Sequence, residues 1–154
     1  MKTYLLEKEI TIPAPVEAVW KFFSAAENLQ KITPGYMKFK ITDRPDVEEI
    51  FSGMLIQYKV SPVLNIPLTW VTLIKSVDRL KSFMDTQVKG PYRLWEHTHT
   101  FTPVAGGTLM KDSVRYALPF GPLGSLAHTL FVRKQLEGIF SYREQVIGTY
   151  FPKK

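Results

Sequence analysis

Residues 93–117 read RLWEHTHTFTPVAGGTLMKDSVRYA, and two strands joined by a tight turn account for the pattern. Successive side chains of a strand point to opposite faces, so Trp95, His97, His99 and Phe101 share one face while Glu96 and the threonines take the other. Ala105-Gly106-Gly107 separates the runs 92–103 and 107–117 and predicts a hairpin. With Ala105-Gly106 as a two-residue turn, His99 faces Asp112, His97 faces Val114 and Trp95 faces Tyr116. The same reasoning across Gly90-Pro91 brings Asp85 beside His97 and Gln87 beside Trp95. A slip of two residues keeps these faces inward and pairs Asp112 with Phe101 or His97, whereas a slip of one turns Asp112 outward. An inner face built only for structure would be aliphatic, because burying a polar group without a partner costs roughly 2–7 kcal/mol. Two histidines between a tryptophan and a phenylalanine therefore mark a polar spot in an apolar wall, as in ligand cavities.

Outward from this hairpin the strand pattern continues. Runs at 37–42, 50–60, 68–77 and 81–88 precede it, with turns at Asp78-Arg79 and Lys89-Gly90-Pro91, so consecutive strands are expected to pair antiparallel as a meander. The two-proline segment Ser61 to Pro67 reads as a longer loop. Tyr4 to Ile12 alternates as a first strand, and Pro13-Ala14-Pro15 ends it and prepares a helix. Val16, Val19, Trp20 and Phe23 give that helix, to about Ala25, one apolar stripe suited to the core, and Ala26 to Ile32 adds a second short helical piece. A long helix is expected over 123–150. Its positions Leu123, Leu126, Ala127, Leu130 and Phe131 form one stripe, and Leu136, Ile139, Phe140 and Ile147 a second, turned well away from the first. A kink near Arg133 to Gln135, a self-association face or a helix covered on both sides would each account for two stripes. His128 falls away from the first stripe and is expected to be exposed.

The 154 residues fit a single domain over 1–154, and 45% hydrophobic residues supply a substantial core. No run approaches the roughly 20 apolar residues of a membrane span, and the charged N-terminus does not read as a signal peptide. A cytoplasmic protein is expected. Without cysteine there are no disulfides, thiolate ligands or cysteine nucleophiles. The net charge of +6 comes from scattered basic residues, which read as a solvated surface, and no nucleic-acid partner is expected. Gly53 suits a bend in the sheet. The turn from Pro119 to Gly124 carries no phosphate-loop signature and reads as the start of the long helix.

The order of elements, together with Trp20, Phe22-Phe23, Ile32-Thr33-Pro34, Gly53, Ile56, Tyr58, Phe83, Asp85, Gly90-Pro91, the 95–101 run, Gly107-Thr108, Asp112, Tyr116 and Pro119-Phe120-Gly121, resembles the Bet v 1-like superfamily, also called START-like or SRPBCC. The resemblance is to its bacterial ligand-binding or polyketide cyclase/dehydrase-like members. It implies an α+β helix-grip fold, in which a curved seven-stranded antiparallel sheet wraps a long C-terminal helix and encloses an apolar cavity. Fold alone does not assign chemistry.

Function is therefore expected from the cavity face. Binding or transport of a hydrophobic small molecule is the leading expectation, with Tyr58, Trp70, Trp95, His97, His99, Phe101, Asp112, Tyr116, Leu126 and Leu130 as contacts. A cyclase or dehydratase would use His97 or His99, tuned by Asp112 or Asp85, as acid and base, with Tyr58 or Tyr116 stabilising an oxyanion. A structural pairing of the same groups, an interaction module and a homodimer stay open beside these. Two histidines two apart on a strand permit zinc ligation with Asp112 or Asp85, but spacing does not establish a converging third ligand, so no metal and no cofactor is assigned.

Overall fold

The hairpin at 93–117 forms in the register that its turn dictates. In a computed structural model, which describes residues 1–153, strands β6 (Leu94–Val104) and β7 (Gly107–Ala117) pair antiparallel, with Trp95 opposite Tyr116, His97 opposite Val114 and His99 opposite Asp112. Strand β5 (Ser82–Lys89) pairs with β6 so that Asp85 faces His97, and its pairing ends at Thr86 with Glu96, one step short of Gln87 and Trp95. Gly107 is held at φ +151°, where an added Cβ would stand 2.0 Å from the Ile12 carbonyl oxygen, so only glycine lets β1 approach the turn this closely.

Strands β1 (Tyr4–Ile12), β2 (Lys40–Asp43), β3 (Leu55–Val60) and β4 (Leu68–Asp78) complete a seven-stranded antiparallel sheet in the order β1-β7-β6-β5-β4-β3-β2. Two register shifts between β4 and β5, at Val71/Thr72 and Ile74/Ser76, mark β-bulges, which bend a sheet and strengthen its twist. The run at 50–60 yields strand only from Leu55. Ahead of it, Phe51 to Gly53 turns, with Gly53 at φ +94° and its N–H donating to the Ile74 carbonyl at 2.7 Å. The run at 37–42 likewise begins with a single 3-10 turn, Gly35–Met37, before β2.

Helices α1 (Val16–Phe23) and α2 (Asn28–Lys31) close one end of the sheet. The stripe on α1 buries Trp20, whose ring meets Phe83 and Phe101 edge-on and whose Nε1 donates to Glu49 at 2.6 Å. Full burial of side chains such as Trp20, Met110 and Val114 contributes about 1.5–3 kcal/mol each.

The C-terminal segment is helical over 30 residues: α3 (Gly121–Ala127), a π-helical turn at His128–Val132, and α4 (Arg133–Tyr150). Among the described residues no helix is long and apolar enough to cross a membrane. The two apolar stripes have different fates. Leu136, Phe140 and Ile147 pack on the sheet, Leu123, Leu126 and Leu130 face outward, and Phe131, partly exposed, reaches the rim of the cavity under the helix. A helix covered on both sides is thereby ruled out, and the irregular turn lies just before the Arg133 to Gln135 position suggested by the sequence.

Leu126, at 54% exposure, and Leu130, at 69%, therefore do not line the cavity, contrary to expectation. His128 is corrected in the opposite sense. It lies on the far side of the helix from Leu123, so turning that stripe outward drives the imidazole inward against Tyr4 and Tyr116, with 6% exposure.

Candidate functional site

Between the concave face of the sheet and α4 lies a cavity of about 450 Å³, within the usual range of small-molecule sites. Its walls are mainly apolar. Phe22 and Phe23 come from α1, Ile56, Tyr58 and Val60 from β3, Trp70 from β4, Trp95 from β6, and Leu136, Ile139 and Phe140 from α4. Gln135 Nε2 donates to the Pro62 carbonyl at 2.6 Å and so ties α4 to the loop between β3 and β4.

One part of this wall is ionic. Asp85, His97, His99 and Arg143 all border the cavity, and Asp112 lies behind the imidazoles. The alternation of β7 turns Thr108, Met110, Asp112, Val114 and Tyr116 inward, which buries the Asp112 carboxylate among otherwise apolar positions. His97 and His99, two apart on β6, stack with ring centroids 3.7 Å apart. His97 Nε2 donates to Asp112 Oδ1 at 2.7 Å, and His99 Nε2 meets Asp85 Oδ2 at 2.8 Å. Two longer contacts close the quartet: His99 Nδ1 to Asp112 Oδ1 at 3.2 Å and His97 Nδ1 to Asp85 Oδ2 at 3.9 Å. Arg143 Nη1 stands 3.9 Å from Asp112 Oδ1.

Burial opposes every charge in this group, and the partners decide which survive. For Asp112 and Asp85 the opposing effect of burial is outweighed by hydrogen bonds from the histidines, and both carboxyls are held below the ordinary aspartate range. Burial, reinforced by the neighbouring His99, pushes His97 down despite its carboxylate partners. His99 overcomes its burial through Asp112 and Asp85 and is shifted up. Stacked imidazoles do not readily share two positive charges, so the pair divides into a neutral His97 and a more basic His99.

The remaining expected contacts separate into wall and scaffold. Tyr58 lines the cavity and shares a hydrogen bond with the Thr72 hydroxyl at 3.2 Å, and burial raises its phenol pKa. Trp70 and Trp95 meet nearly perpendicular in the wall, with ring centroids 5.5 Å apart. Phe101 belongs instead to the packed core with Trp20, Phe23 and Phe83, because α1 covers that end of β6. Tyr116 also stands apart from the ionic group. Its hydroxyl shares a hydrogen bond with His128 Nε2 at 2.7 Å, and the residue does not border the cavity. Trp20 is core, as its helical spacing implies, whereas Phe23 reaches the cavity wall.

Arg143 is a cavity-lining charge absent from the residues singled out in the sequence. Leu136, Phe140, Arg143 and Ile147 recur at spacings of four, three and four, so a cation sat inside the apolar stripe of the last helix and was readable there. Two buried donors on cavity-lining residues, Trp70 Nε1 and Arg143 Nε, have no hydrogen-bond partner among the described residues.

Solved structures share this architecture. A protein of Thermus thermophilus superposes with a TM-score of 0.66 at 18% identity, covering 96% of this chain and 99% of that one. Truncated norcoclaurine synthase from Thalictrum flavum gives 0.69 at 15% identity, covering 99% and 96%. The di-domain ARO/CYC protein StfQ of the steffimycin biosynthetic pathway gives 0.73 at 10% identity, over 97% of this chain and 50% of that one. At these identities the likeness concerns the fold. No curated protein matches the sequence. The family model described as polyketide cyclase/dehydrase and lipid transport matches residues 12–139.

Proposed function

Because the chain belongs to the polyketide cyclase/dehydrase and lipid transport family, we propose that it binds a hydrophobic cyclic or acyl small molecule in the cavity between sheet and α4. The ligand carries an oxygen-bearing polar end that meets Asp85, His97, His99 and Arg143. The observation that carries this reading is a mainly apolar enclosure of about 450 Å³ whose wall contains one compact ionic group. The unpartnered N–H groups of Trp70 and Arg143 favour a ligand with acceptor oxygens, since leaving such donors unpaired costs about 1–3 kcal/mol each.

Native mass spectrometry of gently purified protein, followed by extraction, tests this. One apolar molecule per chain is expected, and Ile139→Trp, which fills the cavity from α4, abolishes its capture. If the protein carries nothing and its Trp fluorescence is unchanged by polycyclic phenols, fatty acids or sterol-like compounds, the reading fails.

A cyclase-type reaction is the second reading, favoured by a neutral imidazole at the cavity wall. His97 Nδ1 would take a proton from carbon next to a bound carbonyl, with Tyr58 as hydrogen-bond donor to the oxygen. Deuterium exchange at that carbon, lost in His97→Ala, supports it. Exchange that persists in His97→Ala excludes His97 as the base.

A further inference from the structure

We propose that Asp85, His97 and His99 form a site for one divalent transition-metal ion, with Asp112 as the carboxylate that fixes His97 and faces His99. The site borders the cavity assigned above to a ligand, but metal binding is measurable without any ligand.

Asp112, as a carboxylate, only accepts, so the 2.7 Å bond to His97 requires the hydrogen on His97 Nε2. In the tautomer that carries its hydrogen there, His97 has a bare lone pair at Nδ1. That nitrogen faces Asp85 Oδ2 across 3.9 Å, a separation too long for a hydrogen bond, with a lone pair on each side. His99 Nδ1 lies 3.2 Å from Asp112 Oδ1, and its Nε2–H donates to the same Asp85 oxygen at 2.8 Å, so an ion bound here would take the place of that proton. His99 Nδ1 is buried and makes no well-aligned hydrogen bond.

One carboxylate thus touches one edge of both stacked rings, and the other carboxylate faces the opposite edge of both. A metal-binding histidine typically has this environment, with one nitrogen directed to the ion and the other held by a carboxylate.

One donor atom from each of Asp85, His97 and His99 lies within 4.8 Å of the other two. Tetrahedral ligation at about 2.1 Å sets donors roughly 3.4 Å apart, so the 2.8 Å contact opens and the 3.9 Å contact closes by about half an ångström each. Charge also suits the assignment. Arg143 stands beside Asp112, and Asp85 is the carboxylate more open to the cavity, with 17% side-chain exposure against 4%. Two imidazoles and one carboxylate, with the remaining positions towards the cavity, form a ligand set suited to zinc, iron(II) or cobalt(II).

The test is a titration of the full chain, dialysed against chelator, with cobalt(II) while its visible d–d absorption is followed, and then competition with zinc(II). Saturation at one equivalent is expected, with the band intensity of a four- or five-coordinate ion, and zinc(II) is expected to displace the cobalt. Asp112→Asn keeps the three ligands and is expected to weaken binding by about 10–100-fold. His128→Gln, outside the site, leaves binding unchanged. Absence of a saturable cobalt spectrum in the wild type overturns the proposal without relying on any variant. So does a saturable spectrum that survives in the folded His97→Gln/His99→Gln pair. Success here with no ligand in the cavity would remove the function proposed above and leave the metal site standing.

Discussion

Replacing Asp112 by alanine removes the acceptor of His97, a carboxylate 3.2 Å from His99 and the ion-pair partner of Arg143. The charge-assisted bond at 2.7 Å contributes about 1.5–3 kcal/mol. Its loss also leaves His97 Nε2–H and the Arg143 guanidinium buried without this partner. Breaking one side of a buried ionic group costs about 3–5 kcal/mol in general, and the enclosed position of Asp112 places it in that range. Asp85→Ala removes one 2.8 Å bond from a more open carboxylate and is expected to cost about 1.5–3 kcal/mol. Urea unfolding followed by tryptophan fluorescence measures both. With a slope of about 2 kcal/mol/M, Asp112→Ala lowers the midpoint by about 2 M and Asp85→Ala by about 1 M.

The pH dependence has a defined sign. Both carboxyls have folded pKa values below the ordinary 3.8. Their stabilisation is therefore fully present above the unfolded value and is lost as pH falls from about 4 through the folded values. The stability gap between wild type and Asp112→Ala is expected to narrow as pH falls below about 4, and also as pH rises through the raised folded pKa of His99, which Asp112 helps to set. A gap under about 1 kcal/mol at pH 7, or one independent of pH down to the acid transition, would refute the assignment of Asp112 as the anchor of the group.

Two further outcomes separate scaffold from site. His128→Ala leaves the Tyr116 hydroxyl buried without its 2.7 Å partner and is expected to cost about 1–3 kcal/mol in thermal or urea unfolding, with ligand capture by native mass spectrometry unchanged. Leu126→Ser and Leu130→Ser, on the outward stripe, are expected to shift stability within about 0.5 kcal/mol and to leave capture intact; loss of capture in either would return these leucines to the ligand contacts.

The strands, their order and the pairing of His99 with Asp112 were legible in the chain because period-two alternation and a two-residue turn are local properties. Trp95, His97 and His99 were expected on one inner face for the same reason, and Tyr58 and Trp70, the latter open between core and wall in the sequence, border the same cavity. The helix was harder to read. Two apolar stripes of similar strength do not reveal which one packs, and choosing the wrong one misplaced Leu126, Leu130 and His128 together. Arg143 was overlooked although it lies in the stripe that does pack, because a charged residue there reads as exposed until its partner is known.

The sequence by itself thus indicated the order of the elements and, with Ala105-Gly106 as a two-residue turn, the inward set of residues on β6 and β7, since these depend on backbone geometry and nearby turns. Only the tertiary structure decided which face of the last helix meets the sheet, that Tyr116 is engaged by His128, and that Arg143 joins Asp85 and Asp112 around the two imidazoles. Those outcomes depend on packing and on electrostatic pairing between residues distant in the chain, where the balance of desolvation against partner charges is fixed by three-dimensional proximity and not by spacing along the sequence.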